Sequence, residues 1–309
     1  MAAPHVAPIP IPDDFTVWAG TDLHGQIAAV DSLLEEAGLT DGGDRWTAPP
    51  RTALVVTGDM VDRGPDSVGL VRRLASLRRQ AQTAGGLVAL LEGNHEVQVL
   101  GGLAGVPELF RALMAFGGAA TFASAGLRAD EWIGRDAAAI ASRVDELAPD
   151  FRPLLWSFAP YARWRDVVLV HGGPVPGLSL NAWGTSAQRL WIREAFFAST
   201  SPFATADAWT AFRDAGVGRV VFGHTPVDRP TTFHDGRALN LDTWRGQLVS
   251  LARLAPDGDL GGSTFLARPA EPRTIPDAPI TTEDIRRFDS GLPAIVDAWI
   301  ASGEGVPRA

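Results

Sequence analysis

Short apolar runs rich in Val, Leu and Phe recur along the chain, each closed by a polar, glycine-containing cluster: Phe15–Gly20, Ala53–Thr57, Leu87–Leu91, Val167–Val170 and Val220–Phe222. A brief continuous apolar run bounded by turn-formers is the pattern of a buried strand. Between the first three lie the helix-like stretches Gln26–Ala37 and Asp66–Gln82, the second with Val68, Val71, Leu74 and Leu77 at helical spacing. Strand and helix therefore alternate in the front half, which predicts an α/β fold with mainly parallel early strands. The polar clusters follow the strands and fall at carboxyl ends, where open α/β sheets place their binding sites.

Residues 97–165 interrupt this rhythm. Leu109, Leu113, Phe116, Ile140, Val144 and Leu147, punctuated by Gly117, Gly118 and Pro149, predict a helical insert, read as a cap over the site. Ala238–Leu254 carries two short strand-like runs, and Pro269, Pro272, Pro276 and Pro279 mark a linker. Beyond it, Thr282–Ile300 predicts a helix interrupted at Gly291 and Pro293 that packs on the outside. The expected organisation is a main domain over 1–268 and a Pro-rich linker with a helical tail over 269–309.

A length of 309 residues allows one large or two ordinary domains. No apolar run approaches the roughly 18 residues of a membrane-spanning helix. Met1–Asp14 has neither a basic nor a hydrophobic leader segment, so a cytoplasmic protein without a membrane partner is expected. The absence of Cys excludes disulfides, thiolate metal sites and a cysteine nucleophile. All 27 basic residues are Arg, which removes a Schiff-base lysine and the lysine of a phosphate-binding loop. A net charge of −9 argues against nucleic acid as the main partner, and the densest Arg cluster, Arg72, Arg73, Arg78 and Arg79, reads as a solvated helix face.

The strand ends carry Asp22-Leu23-His24-Gly25, Gly58-Asp59-Met60-Val61-Asp62-Arg63-Gly64, Gly93-Asn94-His95-Glu96, His171-Gly172-Gly173 and Gly223-His224-Thr225. A single Asp or His at such a place is usually a cap or a turn residue. Four of the six histidines fall in these clusters, however, and repetition at one sheet edge turns them into a ligand set. Carboxylate, amide and imidazole together suit manganese, iron or zinc, and there are enough groups for two ions. Asp59, with two oxygens, can bridge them, with Asp22 and His24 completing one ion and Asn94, His171 and His224 the other.

In this order the clusters resemble the signature of the calcineurin-like metallophosphoesterases, in particular the bacterial type of the phosphoprotein (serine/threonine) phosphatase branch. That pattern runs GD-x-HG, GD-x-VDRG, GNHE, HGG or HAG, and GH, and the resemblance covers roughly Val17–Leu251. It implies a central β-sandwich of mixed sheets flanked by helices. It also implies Asp22, His24, Asp59, Asn94, His171 and His224 as ligands of two divalent metal ions, manganese first with iron or zinc as alternatives. His95 is then the general acid, Asp62 its orienter, and Arg63 a phosphate clamp with Asn94 beside it. Leu190-Trp191-Ile192-Arg193-Glu194 resembles the W-x-RE segment of bacterial and bacteriophage members, which makes Arg193 a second clamp. One departure is Thr21, where the family has Gly before its first Asp, and an altered turn is expected there.

The reaction so implied is hydrolysis of a phosphomonoester, foremost phosphoserine or phosphothreonine in a phosphoprotein, by a hydroxide bridging the two ions. Symmetrical hydrolysis of diadenosine tetraphosphate is the alternative, and a non-catalytic metal-binding module is a distant third. Among the remaining residues, His5 and His234 read as solvent or turn residues. Glu96 reads equally as a group holding a ligand or His95 and as an exposed one, and Asp242 as a structural hydrogen-bonding residue. Trp183 and Trp191 lie near enough to the site segments to line a pocket. The oligomeric state is left open.

Overall fold

A computed structural model describes residues 7–272 and 281–303, apart from 177, 180–181, 183–185, 199, 202–208, 210–211 and 213–214. His5 and Trp183 lie outside the described residues. Among those described, eleven strands form two sheets. The first contains β1 (Ile9–Ile11), β5 (Ala162–Trp164), β6 (Val167–Leu169), β7 (Arg219–Phe222), β8 (Thr231–Phe233) and β9 (Ala238–Asn240), in the order β1-β5-β6-β7-β9-β8. The second contains β2 (Thr16–Gly20), β3 (Thr52–Val56), β4 (Leu87–Leu90), β10 (Leu248–Arg253) and β11 (Thr264–Pro269), in the order β11-β10-β2-β3-β4. Within each sheet three neighbours run parallel, β2-β3-β4 and β6-β7-β9, and these six strands carry the polar clusters at their ends.

The apolar runs are continuous because both strand faces are covered. Successive side chains of β3 divide between two cores: Ala53 and Val55 face the other sheet, whereas Leu54 and Val56 face helices. The same division holds in β6, where Val167 and Leu169 point between the sheets and Val168 and Val170 point outward. The inter-sheet core is rich in small residues on one side, with Ala19, Ala53, Ala89 and Ala252 against Trp164, Val167, Leu169 and Val221.

A helical layer covers the second sheet: α1 (Ile27–Glu36), α2 (Ser67–Thr83), α3 (Asn94–Leu103), α4 (Pro107–Ala115), α5 (Gly118–Ser124), α6 (Ala129–Trp132), α7 (Ala137–Leu147) and α8 (Phe151–Trp156). Asp66 caps α2 by accepting the Gly69 N–H at 2.7 Å. The stretch 97–165 is mostly helical and ends in β5. Leu109, Leu113, Ile140 and Val144 are buried in the same core as Val68 and Leu74, so these helices form a layer of the fold, while Leu147 turns outward.

The last helix is α11 (Thr282–Ser302), after the short α9 (Gln188–Trp191) and α10 (Glu194–Phe197). It runs unbroken through Gly291 and Pro293, against the interruption expected from the sequence. A proline in a helix interior costs about 3 kcal/mol. Burying Leu292, Val296 and Trp299 against the helical core offsets this, at roughly 1.5–3 kcal/mol per large apolar side chain. No helix among the described residues is long and apolar enough to cross a membrane.

Candidate active site

β2, β3 and β4 deliver Asp22 with His24, Asp59 through Arg63, and Asn94 through Glu96, while β6, β7 and β9 deliver His171, His224 and Asp242. The two sets meet between the sheets. His171 Nε2 lies 2.9 Å from Asn94 Oδ1 and 3.3 Å from Asp59 Oδ1, and the His224 N–H donates to Asp22 Oδ2 at 3.0 Å. Asp22, His24, Asp59, Asn94, His171 and His224, all expected as ligands, are buried side by side.

Ring orientation settles which nitrogens are free. The Nδ1 of His24 faces the Val61 carbonyl at 2.7 Å and that of His171 faces the Thr57 carbonyl at 2.9 Å. A carbonyl only accepts, so both Nδ1 atoms carry hydrogen and both Nε2 atoms point into the cluster. The buried Nε2 of His224 takes no hydrogen-bond partner among the described residues. Donor atoms of His24, Asp59 and His95 lie within 4.8 Å of one another, as do those of Asp59, His171 and His224, so two groups share Asp59. Nitrogen and oxygen donors converging around one shared carboxylate fit divalent cations of borderline to hard character.

Holding so many polar groups together costs backbone strain. Asp22, His24, Asp59, Asp62, Arg63 and His224 all adopt left-handed φ values between 39° and 68°. Such conformations cost about 1 kcal/mol or more each and persist where surrounding bonds enforce them. Here the loops brace one another, with His24 N–H donating to the Asp59 carbonyl and Gly25 N–H to the Met60 carbonyl. Glu96 is fully buried and accepts three main-chain N–H groups, from Gly93 at 2.8 Å, Asp59 at 2.9 Å and Met60 at 2.7 Å. Its exposed reading is thereby excluded: it holds the loop that carries Asp59.

Gly58 and Gly93 are among the glycines of these clusters that space requires. Gly58 has φ 93° and a Cβ there would lie 2.6 Å from the Cα of Gly93, while a Cβ on Gly93 would collide with Asp59. Thr21 is different. It is not among the left-handed residues, and its hydroxyl donates to Asp22 Oδ2 at 2.7 Å, so this position needs no glycine and adds a bond to the carboxylate.

Burial disfavours every charge in this cluster, and neighbouring groups decide each outcome. Burial, with the nearby Asp59 charge, raises Asp22. Asp59 is desolvated too, yet the imidazoles of His171 and His95 hold it well below the usual carboxylate range. His24 and His224 are pushed well below ordinary histidine by burial first and by Arg63 and Arg193 respectively, which leaves them neutral, the form that binds metal. His171 is desolvated as well, but the Asp59 carboxylate raises it to about 9. Burial, with Asp22 nearby, drives Asp242 well above the carboxylate range.

The His95 ring stands at the edge of the cluster. Its Nδ1 lies 2.7 Å from Asp62 Oδ2, and the other Asp62 oxygen accepts the Thr121 hydroxyl at 2.6 Å. Arg63 lies on the cluster itself: Nη1 is 2.6 Å from His24 Nε2 and Nη2 is 3.0 Å from His95 Nε2. A cation on His24 therefore requires this guanidinium to turn outward. Arg193 donates from Nε to Asp289 at 2.7 Å and from Nη1 to the His224 carbonyl at 2.7 Å.

Other expectations resolve simply. Trp191 is buried in the helical core, so it packs and does not line a pocket. His234 sits in a turn with φ 55°, half-buried, and donates from Nε2 to the Phe196 carbonyl at 2.8 Å. Asp242 does take main-chain bonds, accepting the Trp244 N–H at 3.1 Å, and it is buried beside the cluster. Trp244 was missed from the sequence: its indole N–H donates to the Asp22 carbonyl and its ring lies 5.1 Å from that of His24. Four residues after Asn240 in a polar turn, it carries no pattern that signals such a role.

Known proteins resemble the chain over the region that carries these clusters. Serine/threonine-protein phosphatase 1 of Salmonella typhimurium is 26% identical over 239 residues, covering 77% of this chain and 91% of that protein. Shewanella-like protein phosphatase 2 of Arabidopsis thaliana is 38% identical over 81 residues, 26% of this chain, and the matched stretch spans only 20% of that relative's length. A solved protein serine/threonine phosphatase of Saccharomyces cerevisiae shares the fold, with a TM-score of 0.59 at 16% identity over 88% of this chain and 86% of that one. The calcineurin-like phosphoesterase family matches residues 15–228, through every cluster-bearing strand but β9. The chain therefore belongs to the calcineurin-like phosphoesterases.

Proposed function

We propose that the protein is a phosphomonoesterase that removes phosphate from phosphoserine and phosphothreonine in proteins. The observation that carries this reading is the His95–Asp62 pair at the rim of the shared-carboxylate cluster. The substrate class is supported by the serine/threonine phosphatase of Salmonella typhimurium, whose match covers most of both chains. Asp22, His24 and Asp59 would hold one cation and Asp59, Asn94, His171 and His224 the other, with manganese favoured over iron and zinc. When bound, such a pair supplies Lewis-acid polarisation of phosphoryl oxygens and acidifies water toward neutrality.

The protein's own groups then do the following. Asp62 accepts the Nδ1 hydrogen of His95 and fixes the ring, so that Nε2 is the atom that holds the proton destined for the leaving alkoxide. Thr121 fixes Asp62 in turn. Arg63 and Arg193, with the Asn94 amide, present N–H groups to the equatorial phosphoryl oxygens, where the developing charge is met.

The test compares a phosphoserine peptide, para-nitrophenyl phosphate and diadenosine tetraphosphate on manganese-loaded protein. The phosphopeptide is expected to turn over fastest, and His95→Asn is expected to lower kcat by roughly 100- to 10,000-fold with metal content unchanged. Loss of metal in that variant would make His95 a ligand. Faster cleavage of the dinucleotide would replace the substrate class, and no turnover of any of the three with two ions bound would leave a binding module.

A further inference from the structure

The helix α11 lies wholly beyond the residues that the family match covers, yet two adjacent residues of it reach the site. Phe288 packs edge-on against Phe116 with ring centroids 5.4 Å apart, and Phe116 stands in turn 6.2 Å from the His95 ring. The next residue, Asp289, accepts from Nε of Arg193 at 2.7 Å. We infer that Asp289 is a positioning residue for phosphate binding, which holds the Arg193 guanidinium at the angle required to meet a phosphoryl group. This inference rests on the reading of Arg193 as a phosphate clamp.

Two edges of the guanidinium are fixed from opposite sides. Asp289 holds Nε, and the main-chain carbonyl of His224, the last histidine of the cluster, holds Nη1 at 2.7 Å. Nη2 takes no partner among the described residues. An arginine held at Nε and Nη1 cannot rotate about its long axis without breaking one bond, so the remaining N–H groups keep a set direction. Ordering a long flexible side chain before substrate arrives removes part of the entropy that binding would otherwise cost. The side chains are about one fifth to one quarter exposed, at 22% for Asp289 and 24% for Arg193, which leaves room for a phosphate beside them. The anchoring of α11 through Leu292, Val296 and Trp299 makes Asp289 a fixed point.

The test is a double-mutant cycle on the full, metal-loaded chain, read with para-nitrophenyl phosphate as substrate and inorganic phosphate as competitor. Asp289→Ala is expected to raise KM and the phosphate inhibition constant roughly 5- to 30-fold, with kcat changed much less, as for loss of one charge-assisted hydrogen bond in a partly solvated place. Arg193→Ala should do at least as much, and the double variant should equal Arg193→Ala alone. Asp289→Asn, which keeps an acceptor for Nε, should recover most of the loss. Melting temperature and metal content are followed in parallel, and Asp289→Ser takes the place of the alanine variant if that one melts early. Wild-type KM in Asp289→Ala beside an impaired Arg193→Ala would overturn the role of Asp289 and spare the clamp. Wild-type KM in Arg193→Ala would overturn the clamp and this inference with it, and multiplicative losses in the double variant would place the action of Asp289 elsewhere.

Discussion

Replacing Glu96 with Gln preserves the shape of a fully buried side chain but exchanges one acceptor oxygen for an amide that only donates. Three main-chain N–H groups converge on this carboxylate, two of them from Gly93 and Asp59 on Oε2 and one from Met60 on Oε1. The best orientation of the amide keeps its oxygen on the pair and turns its NH2 toward Met60, so that two buried donors face each other. Each unsatisfied buried donor costs about 1–3 kcal/mol, and the loss of two is therefore expected to destabilise the protein by about 2–6 kcal/mol. At about 2–4 °C per kcal/mol, the melting temperature should fall by roughly 4–24 °C. Denaturant titration of wild-type and Glu96→Gln protein reads the energy directly, with metal content measured beside it, because the loosened loop carries Asp59. A change below about 0.5 kcal/mol, within the range of an ordinary surface substitution, together with full metal loading, would refute the claim that Glu96 holds that loop.

Three further outcomes follow from the same contacts. Thr121→Val removes the hydroxyl that fixes Asp62, and kcat should drop roughly 10-fold with metal content intact, the worth of one hydrogen bond to a charged group; unchanged single-turnover rates would show that Asp62 is held without it. Gly58→Ala places a Cβ in a residue with φ 93° against the Gly93 Cα, and more than about 3 kcal/mol of destabilisation is expected by denaturant unfolding, more than left-handed strain alone would cost. His234 is held below its ordinary range by burial foremost, so its contribution is present above about pH 6.5 and lost as pH falls through the lower folded value. His234→Gln should therefore flatten part of the acid decline in stability below pH 6.5, and an unaltered decline would remove His234 from its causes.

The residues of the site were legible because each cluster closes an apolar run, and strand ends from the two facing sheets bring Asp22, Asp59, Asn94, His171 and His224 together. Local order also foretold α1 and α2, whose apolar spacing, and in α2 the Asp66 cap, lie within the segment itself. What could not be read depends on distant partners. Nothing near Arg193 announces that a carboxylate 96 positions later will hold it. Glu96 looks the same in sequence whether exposed or clamped under Asp59, because the three N–H groups that decide it come from two loops. Pro293 reads locally as a break, and only the buried stripe around it shows why α11 continues. The left-handed φ of six non-glycine residues at the site likewise contradicts local preference, as it must where long-range bonds enforce a conformation.

The small residues between the sheets have a consequence for the chemistry. Asp22, Asp59 and Asn94 hang from one sheet and His171 and His224 from the other, so the gap between the two halves of the cluster is set by the thickness of the layer beneath them. Ala19, Ala53, Ala89 and Ala252 thus act as a spacer gauge, fixing how closely the two halves of the cluster stand. A single added methyl group deep in this layer, far from any phosphate, would wedge the halves apart like a shim under one jaw of a vice. The side chains of the cluster would stay intact while Asp59 lost its place within reach of both His24 and His171.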